Sequence, residues 1–139
     1  MNFASMTPNF EVSNVKETVN FYVSVLGFSV AMAVTENHEI VENGFPQDKE
    51  CIYAFIVKDN VMLAFQRGDA LRKDINLSHQ MEIGASIAFY IEVQSADELY
   101  NELLGKINEI TEIKDTWYGM REFYFKDING YLLGFGSKI

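Results

Sequence analysis

The side chains best suited to chemistry are concentrated near the carboxyl end of the chain, between Trp117 and Tyr124. The rings of Trp117 and Tyr118 and the guanidinium of Arg121 offer flat surfaces that stack on a planar ligand. Glu122 and Tyr124 are two residues apart, so they share one face of a strand and could work as an acid–base pair. The segment therefore predicts either one wall of a ligand pocket or an aromatic turn that only covers the end of a sheet.

A second set of candidates follows from strand alternation. Successive side chains point to opposite faces, and the face predicted to point away from the helices mixes small, polar and aromatic residues. That mixture is typical of a lined cavity rather than of a second apolar core. A plain solvent-facing sheet is the alternative. The residues predicted to line this cavity are Asn9, Glu11, Met62, Gln66 and Tyr90.

Composition restricts the partners. The 139 residues, 48% of them apolar, predict a single domain over residues 1–139. The net charge of −9 disfavours nucleic acid and anionic membranes as partners. Together with Glu11, Glu92 and Glu122 it favours a ligand with positive charge. A lone cysteine, Cys51, and the lack of a signal-like segment or a long apolar run predict a cytoplasmic protein that does not enter a membrane.

The elements that must position these residues occur twice in the same order. Asn14 and Ser95 are predicted to cap two helices, because each is followed three residues later by glutamate. Each helix lies between strands in the order βαβββ, which predicts an α+β fold with mixed sheets curved around a cavity. The modules are predicted at residues 6–67 and 84–137, with a mostly polar linker at 68–83 and a loop at 37–49. The predicted strands cover residues 7–12, 28–35, 51–57, 61–66, 86–93, 109–114, 121–126 and 131–135.

Residue matches between the halves support a duplication, because they occur in the same order along both. The pairs are Phe10-x-Val12 with Phe89-x-Ile91, Leu26-Gly27 with Leu104-Gly105, Lys58-Asp59 with Lys126-Asp127, and Leu63-Ala64-Phe65 with Leu133-Gly134-Phe135.

The segment from Phe21 to Phe28 resembles the FYxxxLGF signature of the vicinal oxygen chelate superfamily. That group holds glyoxalase I, bleomycin resistance proteins, fosfomycin resistance enzymes and extradiol dioxygenases. Residues 117–130 are similar to the WGxREF…DPDGN stretch of the bleomycin resistance-like branch, although Ile128 stands where the family usually has proline. The resemblance implies a homodimer with cavities between halves that can come from different chains.

The resemblance also implies where a metal would bind. Members with metal chemistry place one ligand, usually His, Glu or Gln, on each of four strands, and the matched positions here are Thr7, Ala64, Ser86 and Gly134. Ala64 and Gly134 have no ligating side chain, and the hydroxyls of Thr7 and Ser86 are poor ligands for a first-row divalent ion. Both histidines fall in predicted loops. The sequence therefore predicts no metal and no cofactor.

These observations favour a metal-independent protein that binds and sequesters a small aromatic or amphipathic, cationic molecule. A glyoxalase- or dioxygenase-like enzyme is the alternative, either with metal ligands outside the matched positions or metal-free with Glu122 and Tyr124. An interaction module with a vestigial cavity is the third class.

Overall fold

A computed structural model describes residues 1–75 and 87–139 of the chain. They divide into two compact units, Met1–Glu82 and Ile83–Ile139. The elements in chain order are β1 (Asn9–Val12), α1 (Val15–Leu26), β2 (Ser29–Thr35), β3 (Ile40–Glu42), β4 (Cys51–Lys58), β5 (Val61–Arg67), α2 (Gly68–Ile75), β6 (Ala88–Glu92), α3 (Ala96–Leu103), β7 (Lys114–Asp115), β8 (Met120–Lys126) and β9 (Leu132–Lys138).

Each unit is built on one mixed sheet. The first has five strands in the order β1-β5-β4-β2-β3, and the second has four in the order β6-β9-β8-β7. In both units the first strand runs parallel to the last one, and the other pairs are antiparallel. The predicted α+β class and the tandem pair of modules are confirmed.

Helix α1 forms where its capping signals predict it. The side chain of Asn14 accepts a hydrogen bond from the backbone N–H of Glu17 at 3.0 Å, which satisfies a donor that has no partner within the helix. Gly27 ends the helix with φ of 77°, a conformation that glycine adopts without steric cost. The apolar stripe of α1 packs on β5, with the rings of Tyr22 and Phe65 only 4.7 Å apart.

Helix α3 begins in the same way in the second unit. The Ser95 hydroxyl accepts from the backbone N–H of Glu98 at 3.2 Å. Below the helix, Phe135 stacks between Phe123 and Phe125, with ring centroids 5.6 and 5.5 Å away. All three rings are buried, so this side of the sheet is its core face and the opposite side is left for other contacts.

Three predictions of local structure were wrong. The predicted loop at 37–49 contains β3, which pairs with β2; a three-residue edge strand is too short to show alternation. The predicted linker begins with a full helix, α2. The predicted strand at 109–114 is reduced to β7 and an isolated bridge between Ile110 and Phe125, because the Thr111 hydroxyl accepts from the Tyr124 N–H and replaces a ladder bond.

Other observed strand ends differ from the predicted ones by one or two residues. Strand β1 begins at Asn9 instead of residue 7, and β6 begins at Ala88. Ile87, which falls within the predicted strand 86–93, lies before β6 and is 66% exposed. Ser86, the predicted start of that strand, lies outside the described residues. Within the part of the chain that the structure describes, no helix has the length and hydropathy needed to cross a membrane.

Candidate functional site

The carboxylate of Glu122 lies on the face of the second sheet that is opposite its core face. Glu122 on β8 is only 3% exposed, which is uncommon for a glutamate. The Tyr90 hydroxyl donates a hydrogen bond to one carboxylate oxygen at 2.9 Å, and the Tyr118 hydroxyl donates to the other. Both oxygens are thus satisfied, which is the condition under which a charged group can remain buried.

Strand register explains why these side chains meet. Glu122 on β8 lies opposite Gly136 on β9, and Tyr124 lies opposite Gly134. Tyr90 on the neighbouring β6 pairs with that same Gly134, so all of these residues belong to one face.

The two glycines leave space for the rings. A Cβ atom at Gly136 would overlap the hydroxyl end of Tyr90, and one at Gly134 would overlap the ring of Tyr124. Tyr90 and Tyr124 therefore lie against bare backbone, with ring centroids 6.3 Å apart and planes inclined by 50°. Two glycines spaced two apart in a strand signal such a close approach. Sequence analysis had considered Gly134 only as a lost metal position and had given Gly136 no role.

The turn before β8 presents the other aromatic rings. Thr116 closes it by accepting from the Met120 N–H at 3.1 Å through its hydroxyl, and Gly119 adopts a φ of 81°. Tyr118 reaches back from the turn to Glu122, whereas Trp117 is 95% exposed. The two rings meet edge to face, with centroids 5.4 Å apart.

The electrostatics keep the three tyrosines protonated. Burial, followed by the hydrogen bond to Glu122, raises the pKa of Tyr90 well above its usual range. The hydrogen bond to Glu122 is the main reason that the pKa of Tyr118 is raised, and burial is the main reason for the raised pKa of Tyr124. At neutral pH these groups are hydrogen-bond donors and neutral aromatic surfaces, not phenolates.

The structure places Arg121 away from this group. Its position in β8 puts it on the opposite face from Glu122. The guanidinium donates to the Asp115 carboxylate at 2.7 and 2.9 Å and to Asp97 of α3 at 3.0 Å. Arg121 thus ties the helix and β7 to β8, and its donors are directed to these two carboxylates.

The first-unit candidates form a separate group. The Asn9 amide donates to Gln66 at 2.9 Å, and the Gln66 amide donates in turn to Asp74 of α2 at 2.7 Å. Arg72 of α2 forms an ion pair with Glu11. The open face of β1 and β5 is therefore covered at this place by α2, which sequence analysis missed because it treated this segment as linker.

Two cavities accompany these groups. Beside α2, a pocket of about 240 Å³ is lined by Tyr53, Gln66 and Lys73, among others, and His38 lies at its edge. In the second unit, a more open groove of about 370 Å³ extends from Tyr124 along apolar side chains that include Ile110 and Leu132. Met62, the remaining candidate, is half-buried and lies opposite Val57 in the first sheet.

The positions that the resemblance matched to metal ligands show no ligating cluster. Thr7 precedes β1 and is exposed, whereas Ala64 and Gly134 are buried strand residues. Ser86 and His79 lie outside the described residues. Across residues 1–75 and 87–139, no three His, Cys, Asp or Glu side chains are grouped to hold a metal ion.

Comparison with known proteins defines the class. The family model described as the Glyoxalase/Bleomycin resistance protein/Dioxygenase superfamily matches residues 9–135, and the chain belongs to this superfamily. The resemblance predicted from Phe21 to Phe28 is thereby confirmed.

The individual relatives have low sequence identity to this chain. A bleomycin resistance protein of Geobacillus stearothermophilus is 26% identical over 137 residues, which is 95% of each chain. Among solved structures, a glyoxalase/bleomycin resistance protein/dioxygenase from Nocardioides has a TM-score of 0.72 at 15% identity, over 100% of this chain and 85% of that one. A bleomycin-binding protein from Streptomyces verticillus, in complex with copper(II)-bleomycin, has a TM-score of 0.62 at 19% identity, over 100% and 99% of the two chains. At such identities the two structures support the fold alone.

Proposed function

We propose that the chain is a small-molecule-binding protein that holds an aromatic or amphipathic, cationic ligand without a metal and without converting it. The observation that carries this proposal is the buried Glu122 carboxylate, held by two tyrosine hydroxyls, one of which comes from the turn that also carries the exposed Trp117. Aromatic rings supply contact area, and the carboxylate supplies a negative potential that attracts a cation.

The state of these groups favours binding over catalysis. A general base must come within hydrogen-bond reach of the proton that it takes, whereas the Glu122 carboxylate is only 3% exposed and is held by two tyrosine hydroxyls. The groove beyond Tyr124 adds an apolar surface of the kind that an amphipathic ligand needs. Since relatives are named for bleomycin resistance, a bleomycin-type glycopeptide is the natural first ligand to test.

The test is a titration of the purified protein with bleomycin and a panel of aromatic cations, in excess chelator. Binding is followed by calorimetry and by the emission of Trp117, the single tryptophan. We expect Tyr118→Phe and Glu122→Gln to weaken binding about tenfold, since each disturbs a charge-assisted hydrogen bond. Tyr100→Phe is the matched control, because Tyr100 packs on Phe123 on the core side of the sheet.

Two results would overturn the proposal. One is the absence of heat and of any change in Trp117 emission across the whole panel. The other is a near-stoichiometric transition metal in protein purified without chelator, which would favour a metal enzyme.

A metal-free enzyme is the second candidate, and the bond between Tyr118 and Glu122 is the observation that favours it. A phenol joined to a carboxylate can pass a proton if a substrate displaces one partner. Mass spectrometry of each bound compound after long incubation distinguishes the two functions. Conversion that persists in chelator and disappears in Glu122→Gln would favour the enzyme.

We also propose that the protein is a homodimer. Strands β1 and β6 are edges of their sheets, and Ile87, directly before β6, is an exposed apolar residue. Outer strands with an exposed apolar residue beside them are typical of surfaces that associate. Light scattering after size exclusion tests this, and a single species at the 15.9 kDa of one chain would contradict it.

A further inference from the structure

We propose that the site recognises the cation through tyrosine ring faces, so that its ligand carries an alkylammonium group, including a fully alkylated one. The inference rests on the proposed function and specifies the chemical group of the ligand that the site recognises. Its elements are Tyr90, Tyr118 and Tyr124 around Glu122.

Direct pairing between the ligand and Glu122 is disfavoured by the geometry. The carboxylate is 3% exposed, and its two oxygens already accept from Tyr90 and Tyr118. A primary ammonium would have to displace one of these donors to form a salt bridge. A quaternary ammonium has no N–H to donate, so it needs no such displacement and is still attracted by the charge beneath the rings.

The hydrogen bonds make the rings better partners for a cation. A hydroxyl that donates to a carboxylate is polarised, because hydrogen bonds to charged groups are stronger and shift charge along the bond. The phenol oxygen becomes more negative and increases electron density in the ring. Tyr90 and Tyr118 both donate to Glu122, so one buried charge increases the negative potential of two ring faces.

The rings are arranged so that one cation can contact more than one of them. Tyr90 and Tyr124 are inclined by 50° with centroids 6.3 Å apart. A cation interacts favourably within about 6 Å of a ring centroid, so a single group placed against this pair is within reach of both rings. Tyr90 is 44% exposed and therefore accessible from solvent.

The protein's own cations leave the charge of Glu122 uncompensated. Among the described residues, no lysine or arginine forms an ion pair with Glu122. Arg121, its chain neighbour, is held by Asp115 and Asp97 on the other face. The negative potential of this face is therefore available to a ligand.

The experiment compares choline with 3,3-dimethylbutan-1-ol, a neutral molecule of the same shape in which carbon replaces nitrogen. Ligand-observed NMR titration with the full chain gives both affinities. We expect choline to bind about 5- to 30-fold more tightly, the ratio that corresponds to a partly desolvated cation–π contact. Ethanolamine, with a primary ammonium, should bind no more tightly than choline.

Variants test which side chains cause the preference for choline over its neutral isostere. Glu122→Gln removes the charge while its amide can still hydrogen-bond to both tyrosines, so the choline preference should fall to less than about threefold. Tyr90→Phe retains the ring and removes the polarising bond, and should lower the ratio by a smaller amount. This variant also serves if Glu122→Gln does not fold. Glu102→Gln is the control, because it removes an equal but exposed charge from α3, which packs on the core side of the sheet, and should leave the ratio unchanged.

Each contrary result has a distinct meaning. Equal affinities for the two isosteres would overturn this inference, and so would a ratio of affinities that neither Glu122→Gln nor Tyr90→Phe changes. The proposed function would still stand in either case if aromatic ligands bind and change the emission of Trp117. Ethanolamine binding more than tenfold tighter than choline would assign a direct salt bridge instead. If neither the isosteres nor the aromatic panel binds, both this inference and the proposed function fail.

Discussion

Gly136 is the position at which a single methyl group tests the geometry of the site. An alanine Cβ there would overlap the end of the Tyr90 side chain, so this ring must move away from β9. Movement of the ring breaks the 2.9 Å hydrogen bond to Glu122. Glu122 would then remain buried with Tyr118 as its remaining tyrosine donor.

The expected loss of stability follows from two opposing contributions. A hydrogen bond to a charged group contributes about 1.5–3 kcal/mol, and Tyr90 is half-exposed, so the lower part of this range applies. Replacing glycine by alanine stabilises by about 0.4–1 kcal/mol through the unfolded chain. The net expectation for Gly136→Ala is a destabilisation of about 0.5–2 kcal/mol.

Urea unfolding of a double-mutant cycle measures this coupling. In a Tyr90→Phe background the hydrogen bond is already absent, so Gly136→Ala should cost at least about 1 kcal/mol less than in wild type. Gly44→Ala is the control, since no atom lies within 4 Å of the added Cβ, and it should show only the stabilisation of about 0.4–1 kcal/mol, equally in wild type and in Tyr90→Phe. Additive effects of the two substitutions would refute the argument that Gly136 acts through Tyr90.

Other predictions concern individual side chains. The raised pKa of Tyr90 means that the folded state holds this proton more tightly than the unfolded state does, so its stabilisation is complete below about pH 10 and is lost as the pH rises further. Urea unfolding across that range should show a steeper alkaline loss in wild type than in Tyr90→Phe; equal slopes would contradict it. Arg121→Gln should leave ligand affinity within about twofold, because Arg121 lies on the other face, and a tenfold loss by calorimetry would place it in the site. Burial raises the pKa of the Cys51 thiol, so a disulfide reagent should react slowly with the native protein and rapidly in urea; fast native reaction would show that Cys51 is accessible.

Local signals predicted much of the fold. Asn14, Gly27 and Ser95 determine helix ends through bonds within a few residues, so their positions can be read directly from the chain. Strand alternation placed Glu122 and Tyr124 on one face for the same reason. Helix α2 escaped prediction because its contacts, such as Asp74 with Gln66, depend on a strand face that forms only after folding.

The sequence did not predict the register of the paired strands, that is, which residues of neighbouring strands lie opposite each other in the site. Matching residues between the halves paired Phe10 with Phe89, which makes Asn9 equivalent to Ala88. The sheets instead place Asn9 opposite Ala64 and Tyr90 opposite Gly134, so the halves differ by two residues in this strand. Pairing of parallel strands is decided by packing across the sheet, and residue identities along one strand do not fix it.

Helix α2 also bears on how the two halves can evolve. In the first unit, a segment of the chain itself contacts Glu11 and Gln66, so substitutions there are constrained by folding. In the second unit, Trp117 extends from a turn into solvent, where its replacement leaves the aromatic core intact. A duplicated protein with this division can acquire new ligand preferences through one half while the other preserves its foldability.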